Sequence, residues 1–398
     1  NTLDQSGSAS QSDLLDKTSF VRFEGQIDQH PLLSKVVSNP QARRLISAPV
    51  MVCTIDHLMP ACESLRGGSQ IPPMLRLMGS DLVLDEPDDF GMDDLPALTR
   101  LVYWAGLLGS RVLLSSATMP PDFLSGLFDA YRSGRMEFQK NNYDSNESVN
   151  ICCAWFDEFD QYQHDCPDRE TFAKQHQSFA QKRSKHLSES EIRRRGEILP
   201  VDIQADRKVS SLRKDFARII HNHLFVLHDR HYEIDPQSGK TVSFGLIRMA
   251  NIRPLVDVAR ELYALDAPSN TRIHLCVYHS RYSLLVRSHI EKVLDKVLDR
   301  YNEFAVFNNP DIRNVLDAYE ESNQIFVVLG SPVTEVGRDH DYNWSIVEPS
   351  SMRSIVQLAG RVRRHRQGSI NTPNVALLDT NLRALEYPKR AAFTRPGF

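Results

Sequence analysis

The stretch DLVLDEPDDF, residues 81–90, decides how the rest of the sequence is interpreted. It joins a short apolar run to two adjacent carboxylates, Asp85 and Glu86. Apolar runs of this kind are typical of buried strands in parallel sheets, and the carboxyl ends of such strands face the crevice where open α/β sheets bind ligands. The two carboxylates are therefore expected at a ligand-binding edge, although an acidic turn after a strand explains this stretch equally well when it is taken alone.

The segments around this stretch alternate between strand-like and helix-like patterns. APVMVCTI (48–55) and RVLLSSAT (111–118) are β-rich runs bounded by polar residues or glycine. Between the acidic stretch and the second run, residues 94–106 have helical spacing. One face of this predicted helix carries Leu95, Leu98, Leu101, Val102 and Ala105. Strands that alternate with helices predict a parallel sheet covered on both faces.

The same alternation returns after Thr241. Strand-like runs occupy residues 242–249, 272–279, 324–330, 344–348 and 374–379, and helical segments occupy 253–265, 283–298, 311–321 and 351–364. The polar stretch 157–215 predicts a solvated helical connector, in which Arg193–Arg195 fits a solvated face better than a DNA contact. The sequence thus predicts an α/β protein with two doubly wound parallel-sheet domains, an incomplete one at 1–150 and a second at 221–398, joined by a connector at 151–220.

Composition narrows the class of protein. The 398 residues are 41% hydrophobic and 25% charged, as in soluble globular proteins, and no run resembles a signal peptide or a bilayer span, so a cytoplasmic protein is predicted. A net charge of −4 excludes a uniformly basic nucleic-acid-binding protein and leaves a local groove. Six cysteines form no CxxC pair and are expected to be reduced. Because the chain begins at Asn1 in a polar stretch, we expect it to be part of a longer protein.

The first half supplies candidates for hydrolytic chemistry. Asp85 is expected to hold Mg²⁺ through the water shell of the ion, and Glu86 to orient and deprotonate an attacking water. Ser116 and Thr118 lie at the end of the second run, and Ser116 stands 30 residues after Glu86, so their hydroxyls are expected to hydrogen-bond Asp85 and Glu86 and to couple nucleotide state to the domain interface.

A second motif follows in the other half. QLAGRVRRHR (357–366) has the form Q-x-x-G-R-x-x-R, with Gln357 at its start. Arg361 and Arg364 stand three residues apart and are predicted to share one face of a helix. They could reach across an interdomain cleft toward a γ-phosphate, as arginine fingers do. Alternatively, they are a basic helix end that complements the helix dipole.

The combined set of motifs resembles that of superfamily 2 helicases. It comprises TIDHL (54–58), LDEPDD (84–89), SSAT (115–118), VTEVGRDHD (333–341) and QLAGRVRRHR. DEPDDF, EVGRDHD and YHSRYSLLVRS (278–288) are similar to the CRISPR-associated helicase–nuclease of type I systems, most of all to the type I-F version. The resemblance implies two RecA-like domains that form an ATP- and Mg²⁺-dependent motor. It also implies that the motor acts on single-stranded DNA opened by a CRISPR surveillance complex of the Cascade type, with no membrane partner.

The resemblance also assigns residues. It places Gly337, Asp339 and Gln357 at the nucleotide, and Gly337 and Asp339 also near DNA. It places Thr54, His279, Ser280, Arg281 and Thr334 along the DNA track.

The sequence departs from the family in two ways. No G-x-x-x-x-G-K-[ST] segment precedes Asp85, and Gly239-Lys240-Thr241 fits a turn entering a strand better than a phosphate loop. The upstream HD nuclease is also absent from this sequence, and the histidines at 221, 223, 228 and 231 are interpreted as structural or exposed. We therefore expect this chain alone to bind ATP poorly.

Two alternatives to the CRISPR helicase remain open. The chain could belong to another superfamily 2 motor that acts on DNA or RNA, or it could be a shortened, non-catalytic DNA-binding module.

Overall fold

The computed structural model describes residues 40–63, 67–91, 93–116, 118–142, 148–204, 208–335 and 339–391. The chain divides into two compact units, residues 1–189 and 190–398. Each unit has its own apolar clusters of buried side chains. None of the helices in the described part of the chain is long and apolar enough to cross a membrane.

The first unit contains a short parallel sheet, a hairpin and six helices among its described residues. Its strands are β1 (Leu82–Asp85), β2 (Val112–Ser115), β3 (Ile151–Phe156) and β4 (Gln161–Cys166). Its helices are α1 (Pro40–Ser47), α2 (Pro60–Glu63), α3 (Gly67–Met78), α4 (Leu95–Leu107), α5 (Pro121–Asn142) and α6 (Arg169–Glu189), with 3₁₀ turns at Ile55–His57 and Pro87–Asp89. β1 pairs with β2 in parallel, and β3 pairs with β4 antiparallel. One apolar cluster packs β1 and β2 against the helices around them, and a second packs the β3–β4 hairpin against α5 and α6.

Helices α4 and α5 approach each other closely because two glycines face each other. A Cβ atom on Gly134 would lie 2.1 Å from the carbonyl oxygen of Tyr103, and one on Gly106 would lie 2.5 Å from that of Tyr131. Only residues without a Cβ atom permit this backbone contact. The buried face of α4, with Leu98 and Leu101, then packs into the core beneath β1.

The second unit is built on a seven-stranded sheet, counted among the described residues. Its strands are β5 (Gly196–Leu199), β6 (Glu233–Ile234), β7 (Thr241–Arg248), β8 (Thr271–Tyr278), β9 (Asn323–Gly330), β10 (Trp344–Val347) and β11 (Val375–Leu378). The order is β5-β11-β10-β7-β9-β8, all parallel, and β6 pairs antiparallel with β7. The carboxyl ends of six strands therefore share one edge of this sheet.

Helices cover both faces of this sheet. They are α7 (Val209–His231), α8 (Ile252–Ala264), α9 (Leu284–Leu298), α10 (Pro310–Ala318), α11 (Met352–Ala359) and α12 (Leu382–Glu386), with 3₁₀ turns at Glu303–Asn308 and Pro332–Thr334. One cluster packs α7 and α8 against the sheet, and another packs α9 and α10 against it. This arrangement confirms the predicted α/β class with a doubly wound parallel sheet.

Two predicted elements are wrong. Residues 48–55 do not form a strand: they run as irregular chain into a 3₁₀ turn, and Val50 and Val52 are 80% and 84% exposed. Their β-branched composition favours a strand only where a neighbouring strand supplies hydrogen bonds. The predicted connector 151–220 is not a helical linker either, since it contains the β3–β4 hairpin and is divided between the two units.

The strand β5 lies inside the stretch predicted as a connector. It pairs with β11 and so belongs to the sheet of the second unit. The arginines before it contribute structurally: the Arg194 guanidinium donates to the carbonyl oxygen of Val362 at 2.7 Å, and that of Arg195 donates to the carbonyl oxygen of Ile370 at 2.7 Å. The interpretation of Arg193–Arg195 as a solvated face is therefore wrong for Arg194, which is half-buried.

The prediction for Gly239-Lys240-Thr241 is confirmed. Gly239 has a left-handed φ of +70° in a turn, and Thr241 begins β7. The Lys240 ammonium donates to the carbonyl oxygens of Leu316, at 2.6 Å, and Tyr319. This lysine holds the end of α10 instead of offering its charge to a phosphate.

The histidines of α7 contact separate partners. His223 lies 3.1 Å from a Glu197 oxygen, His228 lies 2.8 Å from the Ser243 hydroxyl, and His231 lies 2.7 Å from the Pro373 carbonyl. His221 is buried with its ring edge-on to Phe225. His223, His228 and His231 therefore help to attach α7 within the second unit, whereas His221 contacts a ring of its own helix. All six cysteines are free thiols.

Candidate functional site

Asp85 and Glu86 lie at the carboxyl end of β1, where the sequence placed them. Asp85 is exposed, and the Glu86 amide donates to the Ser115 carbonyl at 2.7 Å, which continues the parallel pairing beyond the strand. Glu86 adopts left-handed backbone angles, φ 49° and ψ 51°. A residue other than glycine in such a conformation costs about 1–3 kcal/mol and is enriched at functional sites. The backbone therefore turns sharply at the candidate general base.

The hydroxyls after β2 contact the acidic loop. Ser116 Oγ donates to Glu86 Oε2 at 3.3 Å, and Thr118 Oγ1 donates to Asp88 Oδ2 at 2.7 Å. The Ser116 contact agrees with the prediction, whereas Thr118 contacts Asp88 instead of Asp85 or Glu86. The 3₁₀ turn Pro87–Asp89 brings Asp88 back toward the end of β2. The role of these hydroxyls in interdomain coupling stays a prediction.

The acidic strand end fits a magnesium ion that keeps most of its water. Mg²⁺ is commonly held through one or two carboxylates and substrate phosphates, and its remaining ligands are waters. The exposed Asp85 carboxylate can accept hydrogen bonds from such a water shell. No group of three or more His, Cys, Asp or Glu side chains in the described part of the chain is arranged to hold a metal by itself. The donor set thus fits an ion that arrives with its nucleotide.

The two arginines of the Q-x-x-G-R-x-x-R motif do not share a helix face, so that prediction is wrong. Helix α11 ends at Ala359, before both of them. The following backbone pairs instead with Tyr342, whose amide donates to the Arg361 carbonyl at 2.9 Å and whose carbonyl accepts from the Arg363 amide at 2.9 Å. Arg363 has a left-handed φ of 47°, which is incompatible with continuing the helix. The pairing with Tyr342, which lies just before β10, thus prevents α11 from continuing through Arg361 and Arg364.

Arg361 and Arg364 consequently have different environments. Arg361 is 9% exposed, and one guanidinium nitrogen donates to the Glu335 carbonyl oxygen at 2.9 Å. Arg364 is exposed and forms an ion pair with Asp339. Gln357 is half-buried on α11. Of the motif's two arginines, Arg364 is the one that presents its charge at the surface.

Glu335 joins three elements at the carboxyl edge of the sheet, and the sequence analysis did not identify it. The Arg248 guanidinium, at the end of β7, donates to Glu335 Oε1 at 2.6 Å, and Ser354 Oγ on α11 donates to Glu335 Oε2 at 2.9 Å. Arg248 also donates to the Glu348 carbonyl at 2.8 Å. The only signal in the sequence was a charged residue that ends an otherwise apolar run at Arg248. The pair lies beside Arg361 and fixes its surroundings.

A second buried network lies at the amino end of β10, and it too was missed. Arg366 and Asp341 are both buried, with a nitrogen–oxygen distance of 2.7 Å. Glu233 pairs with both Arg366 and the buried Arg300. Burial raises the pKa of the Asp341 carboxyl, but the hydrogen bond and charge of Arg366 together with the charge of Arg300 and the His365 amide outweigh burial, so this pKa lies below its ordinary value. The network fixes the loop that carries Asp339 and the loop that carries Arg364.

The residues assigned to the DNA track fall into two groups. Thr54, Ser280 and Arg281 are exposed. His279 is buried against Tyr282, with ring centroids 4.1 Å apart, and burial lowers its pKa. Thr334 is also buried, and its hydroxyl donates to the Ser331 carbonyl at 3.0 Å. The exposed group offers hydrogen-bonding groups to a ligand. Gly337, assigned to nucleotide and DNA, lies outside the described residues.

Comparison with known proteins agrees with these motifs. A family model described as the C-terminal part of the CRISPR-associated nuclease/helicase Cas3 matches residues 241–367. Over 398 residues the chain is 48% identical to the CRISPR-associated nuclease/helicase Cas3 subtype I-F/YPEST of Pectobacterium atrosepticum, covering 99% of this chain and 36% of that protein. It is 49% identical to the corresponding Pseudomonas aeruginosa protein, covering 100% of this chain and 37% of that protein.

The chain belongs to the Cas3 family. It spans just over a third of the length of these two Cas3 relatives. Solved Cas3 structures have the same fold: T. fusca Cas3 with AMPPNP matches 85% of this chain and 34% of its own, at 19% identity and a TM-score of 0.54. A chain of a CRISPR RNA-guided surveillance complex in a pre-nicking state matches 97% of this chain and 42% of its own, at 17% identity and a TM-score of 0.53.

Proposed function

We propose that this chain carries hydrolytic and DNA-contacting residues of a type I CRISPR helicase that hydrolyses ATP to move along single-stranded DNA. The observation that carries the proposal is the acidic end of β1, where Glu86 accepts a hydrogen bond from Ser116, which directly follows the neighbouring parallel strand. This arrangement fits a carboxylate that must be oriented toward a ligand at the carboxyl edge of a parallel sheet. Family membership and the relatives' names support the same conclusion.

The proposed roles divide among four residues. Glu86 orients the attacking water and accepts its proton, and Asp85 contacts the water shell of Mg²⁺. The ion itself neutralises charge on the phosphate oxygens when it is bound. Arg364, which is exposed beside Asp339, is the candidate for contacting the phosphates, and Arg361 supports the loop from within. The planar fork of an arginine suits phosphate oxygens better than a lysine does.

The proposed nucleic-acid ligand is single-stranded DNA, and the proposed partner is a surveillance complex of the Cascade type. Thr54, Ser280 and Arg281 are exposed and can donate hydrogen bonds to a phosphate backbone. A structural relative at 17% identity belongs to a CRISPR RNA-guided surveillance complex, which motivates the choice of partner. The degradation step would fall to an HD nuclease outside this sequence.

The test is a Glu86→Gln substitution in the full-length protein. We expect ATP turnover stimulated by single-stranded DNA to fall by about 10²–10⁴-fold, the range that a general base contributes, while ATP still binds. Glu137→Gln is the matched control, because Glu137 is a surface carboxylate of the same unit, paired with Lys140. Normal turnover in Glu86→Gln would remove Glu86 from the role of base. Equal stimulation of the wild type by RNA would favour a motor outside CRISPR.

A further inference from the structure

An exposed tyrosine extends the surface next to Arg364. Tyr301 follows the end of α9 and is 72% exposed. Its ring stacks on the His365 ring, with centroids 3.7 Å apart and planes 26° from parallel. Because His365 covers one face of the tyrosine ring, this high exposure leaves the other face open to solvent. An open aromatic face of this size is suited to stacking with another planar ring.

The stack is held in place by its neighbours. His365 Nε2 lies 3.3 Å from the Asp339 carbonyl oxygen, and the His365 amide donates to the buried Asp341 carboxylate at 3.0 Å. The Tyr301 hydroxyl donates to Asp339 Oδ2 at 3.2 Å. Both rings are thus oriented before any ligand arrives, so binding loses little side-chain entropy.

Three kinds of ligand-binding group therefore adjoin one another. The aromatic face of Tyr301 can stack on a base, as aromatic side chains do in nucleic-acid-binding proteins. The half-exposed Asp339 carboxylate can accept hydrogen bonds from sugar hydroxyls, as acidic residues do in dinucleotide-binding folds. The Arg364 guanidinium can donate to phosphate oxygens. Base, ribose and phosphate are the three parts of a nucleotide.

We propose that Tyr301 and His365 form a platform that stacks on the adenine of ATP, with Asp339 accepting hydrogen bonds from the ribose hydroxyls. This inference deepens the proposed function and rests on it. In the structure Arg364 is paired with Asp339. Exposed ion pairs contribute only about 0–1 kcal/mol, so a triphosphate can draw Arg364 away at small cost.

A mononucleotide fits this surface better than a DNA strand. Tracks for single-stranded DNA combine aromatic rings with a positively charged groove. Here Asp339 and Arg364 form one exposed ion pair, and Asp299 adds a further negative charge near Tyr301, so the rings do not lie in a positively charged groove. DNA sugars also lack the 2′-hydroxyl that Asp339 would recognise. The 2′-hydroxyl, which ATP has and DNA lacks, therefore favours ATP as the occupant.

Equilibrium binding to the full-length protein tests the platform without relying on turnover. ATP and inorganic triphosphate are titrated into the wild type and into Tyr301→Leu, Tyr301→Phe and Phe304→Leu. We expect Tyr301→Leu to weaken ATP binding about 5–100-fold, the effect of losing about 1–3 kcal/mol of stacking on one base, and to leave triphosphate binding unchanged. Tyr301→Phe keeps the ring and should bind within about 3-fold of the wild type. Phe304, exposed on the following turn, is the matched control and should have no effect.

A second measurement addresses the ribose. The wild type should bind ATP more tightly than dATP, and Asp339→Asn should reduce that preference because a neutral amide is the weaker acceptor. Unchanged ATP affinity in Tyr301→Leu would overturn the platform, and so would an equal loss for triphosphate. If Tyr301→Leu instead raised only the DNA concentration needed for half-maximal stimulation, the stack would belong to a nucleic-acid base.

These results separate the inference from the proposed function. If the wild type binds ATP through Tyr301 but shows no turnover with single-stranded DNA, the motor function fails and the platform stands. If the wild type turns over ATP and the affinity of Tyr301→Leu is normal, only the platform fails.

Discussion

The acidic strand end of the first unit and the buried network of the second unit hold their charges in opposite ways. Asp85 is exposed, and Glu86 receives a hydrogen bond of 3.3 Å from Ser116. Asp341 and Arg366, by contrast, are both buried and joined at 2.7 Å. The candidate catalytic carboxylates are thus accessible to a ligand, whereas the pair that holds the loops of Asp339 and Arg364 is buried. The groups proposed to meet ligands are thus separate from the groups that set geometry.

The same division recurs within a single loop. Asp339 and Asp341 stand two residues apart, and each pairs with an arginine of the segment 361–366. The Asp339–Arg364 pair is exposed and adjoins the proposed nucleotide platform, whereas the Asp341–Arg366 pair is buried. Because the two carboxylates differ chiefly in burial, they allow a matched test of the comparison.

The largest effect is expected from Asp341→Asn. This substitution removes the fully buried one of the two carboxylates that pair with the Arg366 guanidinium, Glu233 being the other, and should cost up to about 3–5 kcal/mol of unfolding free energy. Asp339→Asn removes an exposed pair and should cost no more than about 1 kcal/mol. Urea denaturation of both variants and the wild type measures the difference. Equal losses would show that the buried network does not fix this loop more strongly than the surface pair does.

A smaller effect is expected at the contact between α4 and α5. In Gly134→Ala the new Cβ atom would meet the Tyr103 carbonyl oxygen at 2.1 Å, so the helices must separate, at a cost of about 1–3 kcal/mol. Gly126→Ala on the same helix has nothing within 4 Å and should stabilise the protein by about 0.5–1 kcal/mol. Thermal unfolding of the two variants checks the opposite signs. A stabilising Gly134→Ala would mean that this helix pair is not packed backbone to backbone.

The predictable parts of the fold are the strands that are buried on both faces, because their sequences are mostly apolar. Every residue of β7 after the first is buried, as are six of the eight residues of β9, so both strands appear in the sequence as mostly apolar runs. The edge strand β5 has only four residues, and its Ile198 is 62% exposed. Its two apolar residues, Ile198 and Leu199, follow a long polar stretch, so the segment was interpreted as part of a connector. Periodicity detects strands with two covered faces and misses short edge strands.

The candidate site was predictable in its residue types and less so in its contacts. The position of Glu86 at a strand end followed from local pattern, and so did its proximity to Ser116. The position where α11 ends did not follow from local pattern, because it depends on the pairing of Val362 with Tyr342, which is distant from the helix in sequence. The Arg248–Glu335 pair joins residues 87 positions apart. Contacts of such separation are set by strand order, which local spacing does not encode.

The smallest effect concerns a titrating group inside the second unit. His228 contacts the hydroxyls of Ser243 and Thr241, and burial lowers its pKa to about 4, below the unfolded value of about 6.5. A histidine with a depressed pKa stabilises the fold fully above the unfolded pKa, and this contribution is lost as the pH falls toward the folded pKa. Between pH 7 and 5.5 the loss should reach about 1 kcal/mol. His228→Gln should remove that part of the pH dependence in urea titrations. His176→Gln alters a half-buried histidine of the first unit and should remove a smaller part of the pH dependence of the unfolding free energy. If the unfolding free energy of His228→Gln falls between pH 7 and 5.5 as much as that of the wild type, His228 does not cause the loss of stability in acid.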